Sequence, residues 1–196
     1  MTSSVSICSN ALLRLGDSPI SSFTDPSKRA TACANLYPEM RDAVLRSHPW
    51  NCATKRVVLA PVAEAPAFDY VYQFQLPDDW LRTIQIGELG CPLKYTIEGQ
   101  RILANLDALK LVYIYRNTIE QSWDSTLVDV VTAAMTAVLA YPVTQSASMQ
   151  QAMQGQFIQT LKQAKAINGQ DDDEETLGDF PLLAGRMSSY SRAPGR

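Results

Sequence analysis

The 196-residue chain is predicted to be an α+β protein: a helical bundle body interrupted by an antiparallel β insertion, followed by an extended C-terminal arm. Three observations predict it. Apolar residues recur at helical spacing near the start of the chain and again after Asp124. Between them the period changes from 3.6 to 2. Beyond Gly169 come five consecutive acids and a mixed apolar and basic tail. Segments 1–55 and 121–168 would pack together as the helical body. Segment 56–120 would form the insertion, and 169–196 the arm.

Val5, Cys8, Leu12 and Leu15 mark the first helix, capped by Ser3 or Ser4 and ended by Gly16. Asp25-Pro26 reads as the start of the second, with Asp25 as cap and Pro26 at the first helical position. Lys28 and Arg29 oppose the helix dipole there unless an acid meets them. This helix would bury Cys33, Tyr37, Met40 and Val44, flanked by Leu36 and Leu45. Pro38 removes one backbone bond, so a kink or a break is expected over 34–38. Pro49 forbids continuation and pushes His48 out of helical geometry.

In the insertion, Val57 to Leu59 reads as the first strand. Phe68, Tyr70, Tyr72, Phe74 and Leu76 alternate, as do Ile84 with Ile86, and Leu93, Tyr95 and Ile97. Glu98-Gly99-Gln100 reads as a hairpin turn, and Leu109, Leu111, Tyr113 and Tyr115 as the last strand. Pro77-Asp78-Asp79 suggests a turn. A small barrel or a sandwich would accommodate such strands. Helical spacing returns after the cap Asp124, with Leu127, Val130, Val131, Ala134 and Val138 on one face and an end at Tyr141-Pro142. A last helix starts near Ser146 or Ser148 and carries Met149, Met153, Phe157 and Leu161 on one stripe.

Hydrophobic residues make up 46 % of the chain and charged residues 19 %, enough apolar matter for a sizeable core. A net charge of −3 argues against a broad face that grips nucleic-acid phosphates. Cys8, Cys33, Cys52 and Cys91 form no C-x-x-C pair, so neither zinc nor a disulfide framework is expected. The start of the chain lacks the basic and apolar pattern of a signal peptide. The most apolar stretch, 127–143, contains Asp129, Thr132, Thr136 and Pro142 and reads as too short and too interrupted to span a bilayer.

No pattern announces a chemistry. G-x-S-x-G, G-x-x-x-x-G-K and G-x-G-x-x-G are absent from the sequence. The single histidine, His48, sits at a helix end beside Pro49-Trp50, where a packing role is expected. Asp78 and Asp79 are adjacent and point apart. Glu88 and Glu98 could approach across a hairpin, as glycoside-cleaving carboxylates must, although strand glutamates are ordinarily solvent-facing. No catalytic, cofactor or metal residue is assigned. The assigned surfaces are two. Gln150, Gln154, Phe157, Gln159 and Lys162 belong to a glutamine-rich last helix suited to burial against an identical neighbour, because amides desolvate more cheaply than charges. Phe180, Leu182, Leu183, Arg186, Met187, Tyr190 and Arg192 make the arm too apolar for a spacer and suited to docking on a partner.

Several pieces together resemble the phage head-to-tail adaptors, a family that includes tail tubular protein A and the head-completion connectors. They are Ala11-Leu12-Leu13-Arg14-Leu15-Gly16 with Ile20-Ser21-Ser22-Phe23, then Leu36-Tyr37-Pro38 through Arg41-Asp42 to Leu45-Arg46, and His48-Pro49-Trp50-Asn51. Tyr72-Gln73-Phe74-Gln75-Leu76-Pro77-Asp78-Asp79-Trp80-Leu81-Arg82, Leu111-Val112-Tyr113-Ile114-Tyr115-Arg116 and the alanine-rich helix after Asp124 complete the pattern, over about 4–165. The resemblance implies a structural virion protein, made in the host cytoplasm, that needs no cofactor and no membrane. It implies a ring of identical copies, commonly twelve, beneath the portal protein. The ring would extend the DNA channel, let DNA pass without sequence-specific binding, and offer a platform to a downstream tail or nozzle protein. The arm in such proteins often reaches the portal. A cell-wall or polysaccharide hydrolase using carboxylates of the β insertion is the alternative function.

Overall fold

The computed structural model describes residues 2–88 and 93–170. Within them the architecture is α+β: α1 (Ser4–Arg14), α2 (Lys28–Ser47), β1 (Thr54–Leu59), β2 (Tyr72–Gln75), β3 (Trp80–Ile86), β4 (Tyr95–Glu98), β5 (Arg101–Ala104), β6 (Leu109–Tyr115), α3 (Ser125–Thr144) and α4 (Ala147–Asn168). Short 3-10 turns precede β1 and α3.

Local chemistry sets the helix ends. The Ser3 and Ser6 side chains each accept the other residue's backbone N–H, closing a capping box on α1. Gly16, at φ +77°, supplies the left-handed residue that ends it. Asp124 accepts the Leu127 N–H at 2.7 Å to start α3, and Ser146 accepts that of Met149 to start α4. α3 packs against the other three helices and is apolar nearly all round. Leu127, Val130, Val131, Met135 and Leu139 on it are fully buried, each worth roughly 1.5–3 kcal/mol against exposure.

The strands form two three-stranded antiparallel sheets, ordered β1-β6-β3 and β2-β5-β4. Leu109, Leu111, Tyr113 and Ile86 of the first pack against Phe74, Ile102 and Ala104 of the second, so the insertion is a small sandwich with its own core. Two register shifts in β3, between Trp80 and Arg82 and between Thr83 and Gln85, let it keep Trp80, Thr83 and Ile86 on the sandwich side. The first shift leaves Leu81 on the opposite face, where it joins the helical core with Ile114, which β6 places there by alternation. The sheet therefore serves both cores at once.

Several expectations need correction. α2 is capped by Ser27, which accepts the Ala30 N–H, and not by Asp25. Asp25 instead accepts the N–H groups of Ser21 and Ser22 and closes the preceding loop. Arg29 meets an acid, Asp17, at 2.5 Å, which offsets its unfavourable place at the helix start. Pro38 does not break α2, which runs as one helix over Lys28–Ser47; it lies on the exposed side, where water can replace the lost backbone bond. α3 runs through Pro142 to Thr144 and ends at Gln145, a left-handed residue with φ 54°. At 20 residues α3 is, by length and composition alone, long and apolar enough to cross a membrane, contrary to the expectation that it is too short and interrupted. That apolarity is what a helix surrounded by three others requires. The long alternation from Phe68 to Leu76 yields only the four residues of β2, and Phe68 is 76 % exposed.

Candidate assembly surfaces

The corner at the end of α2 is built from His48 outward. His48 is extended (φ −152°, ψ 148°), as a residue before proline must be. Trp50 is fully buried, and its indole N–H donates to the Val44 carbonyl at 3.1 Å. The His48 and Trp50 rings meet edge to face at 4.9 Å. The end of α4 closes the corner. Asn168, buried, accepts the Asn51 N–H and bonds His48 Nε2 at 3.3 Å, while Lys165 Nζ donates to the Ser47 carbonyl. Asn117 donates to the Cys52 carbonyl at 2.8 Å. Nothing in the local sequence pointed to Asn168, Lys165 or Asn117, because their partners lie far away along the chain.

The carboxylates are dispersed. Glu88 pairs with Lys110 at 2.7 Å, and that ammonium lowers its pKa. Glu98 lines a different hollow, beside Glu64, Tyr70 and Arg101. Asp79 bonds Lys55 and Tyr113; burial alone would raise its pKa, but those two bonds outweigh it and hold the carboxyl below the usual range. Asp78 makes no such bond to Lys55 or Tyr113. Among the described residues no group of three His, Cys, Asp or Glu is placed to hold a metal ion. Cys8 and Cys33 are buried and Cys52 half-buried, each as a free thiol; Cys91 lies outside the described residues.

α4 touches the body along one stripe. Only Ala164 and Asn168 are buried, with Phe157 and Leu161 packed against the helical core. Phe157 therefore faces inward, away from the side that carries Gln159 and Lys162. Gln154, Gln159 and Lys162 are exposed, and Gln150 is half-buried. Ile158 is 64 % exposed. A Cβ placed on Gly155 would have nothing within 4 Å. The arm residues Phe180, Leu182, Leu183, Arg186, Met187, Tyr190 and Arg192 lie outside the described residues.

Compared with known proteins, the chain matches no family model and no curated protein.

Proposed function

We propose that this chain is a structural virion protein, a ring-forming head-to-tail adaptor that attaches beneath the portal, extends the DNA channel and supports the next tail component. The observation that carries the reading is the outer side of α4. Two charges, Lys162 and Lys165, serve its 22 residues, and Lys165 turns inward to Ser47. The outward surface is left with one charge, Lys162, among Ile158, small residues and amides. Helix faces kept in water usually carry more charge, whereas amides and aliphatic groups can be covered at low desolvation cost. A neighbouring copy in a ring would cover this face. The mild negative charge of the chain suits a conduit through which DNA must slide.

Electron microscopy of the purified protein mixed with portal rings tests the reading. Closed rings stacked on the portal are expected, and Ile158→Lys should abolish them while the far-ultraviolet circular dichroism stays unchanged. Rings that survive this change would show that α4 is not the contact. Glu88 and Glu98 line separate hollows, an arrangement that lends the hydrolase alternative no support. Zymography on cell-wall and capsular polysaccharide addresses it directly. Clearing that disappears with Glu88→Gln or Glu98→Gln would replace the adaptor reading.

A further inference from the structure

The face of the β1-β6-β3 sheet turned away from the sandwich is covered by helices only at one end. Leu81 and Ile114 meet the helical core there. Arg82 pairs with Ile114 at that covered end, and beyond it the cross-strand partners place Arg56 and Gln85 on either side of Val112 and Val58 beside Lys110. Val58 is 65 % exposed, and the face is hollowed by about 530 Å³. Arg56 and Lys110 thus line the hollow over an apolar floor, and Arg82 stands further along the same face beside Ile114. Among the described residues Arg56 and Arg82 have no ion-pair partner, and Lys110 has only Glu88, in a pair too exposed to hold it firmly. On a chain with net charge −3, this concentration of positive charge calls for a counterpart.

The chain supplies one. Asn168, at the end of α4, bonds the backbone of Asn51, three residues before β1 begins. The acidic run Asp171-Asp172-Asp173-Glu174-Glu175 starts two residues after Gly169. Arg56 is five residues beyond Asn51, so the path to it is at most ~17 Å, the length that five residues can span. We propose that the open, cationic face of the β1-β6-β3 sheet is the docking surface for the chain's own acidic segment 171–175. Its carboxylates pair with Arg56, Arg82 and Lys110, and this anchors the root of the arm beside the sandwich. The inference does not rest on ring assembly and holds for the isolated chain.

Two measurements on the full chain test it. Carbodiimide, a zero-length coupler of amines to carboxylates, should join Lys110 to a residue of 171–175. In a mixture of isotope-labelled and unlabelled protein those products should fall within single chains. Phenylglyoxal should modify Arg56 and Arg82 several-fold faster in a variant carrying Asp171→Asn, Asp172→Asn, Asp173→Asn, Glu174→Gln and Glu175→Gln. High salt should speed the reaction in the unaltered chain in the same way. Equal rates in the two proteins would overturn the proposal. So would cross-links found only between differently labelled chains, which would make a second copy the occupant. Arginine protection that ignores the acid-to-amide changes and appears on adding duplex DNA would overturn it in favour of a nucleic-acid surface.

Discussion

Trp50 shows how one side chain holds a change of direction. Pro49 stops α2, but stopping a helix does not say where the chain goes next. The buried indole and its bond to Val44 tie the departing chain back to the last turn it left. Trp50→Phe keeps much of the apolar volume and removes the indole bond to the Val44 carbonyl, which still accepts from the Ser47 hydroxyl. It should cost about 0.5–1.5 kcal/mol, read as a lower urea midpoint with unchanged secondary structure; an unchanged midpoint would mean that the corner is held by other contacts. Asp79 acts on the opposite side of the sheet junction. Its folded pKa is depressed, so its contribution is present above the ordinary carboxylate pKa of about 4 and is lost as the pH falls through the lower folded value. Asp79→Asn should therefore destabilise the protein at pH 7, and the gap to the unaltered chain should narrow at pH 3. Denaturant titrations at the two pH values check this. Burial and the Asp79 contact push the Tyr113 hydroxyl up to about 12, so it stays a neutral donor throughout that range.

At the scale of elements, α4 is the helix whose sequence and position disagree with an isolated existence. Gly155 sits in its middle on the outward side, where glycine costs a helix roughly 0.5–1 kcal/mol relative to alanine. Among the described residues nothing requires it, since an added Cβ meets nothing within 4 Å. Gly155→Ala should raise the melting temperature of the isolated protein. Gly155→Leu should leave the isolated fold intact yet reduce ring formation on the portal, if neighbouring copies approach this face closely. Particle images and thermal melts of the two variants check both outcomes. Normal rings with leucine at this position would remove the close approach from the adaptor reading. β3 makes the complementary point about strands. Its two register shifts place apolar residues on both faces, as a strand lying between two cores requires.

The whole molecule has two cores joined through β3 and β6, with both termini of the insertion leaving from the helical body. The α4 end, the α2 corner and the turn before β1 converge on one place. Both cores and the Asn168 contacts are complete among residues 2–170, so removing 171–196 should leave them intact. The truncated protein should show the same cooperative unfolding and should no longer be retained on immobilised portal. Retention equal to that of the full chain would show that the arm is not the attachment.

Much of this was legible along the chain because it depends on contacts a few residues apart. The caps Ser3, Asp124 and Ser146, the glycine turn at Gly99 in the β4-β5 hairpin and the stop at Pro49 each follow from a side chain or a φ angle acting within one turn. The change of period from 3.6 to 2 likewise marked the insertion. Where two local solutions competed, sequence was a weaker guide. Asp25 and Ser27 are both good caps, and loop closure took Asp25. The alternation at Phe68 and Tyr70 looked like strand, but pairing with β5 extends only over Tyr72–Gln75.

Sequence by itself determined the four helices, the place of the β insertion between them and the acidic run, because periodicity and capping are local properties; β5 (Arg101–Ala104) was implied only as the far side of a turn. Tertiary structure alone decided that the strands divide into two sheets, that Phe157 turns inward while Ile158 does not, and that Asn168 closes a corner begun at His48. It also gathered Arg56, Arg82 and Lys110 onto one sheet face. Those residues are widely separated in the chain, and only strand register brings their charges together.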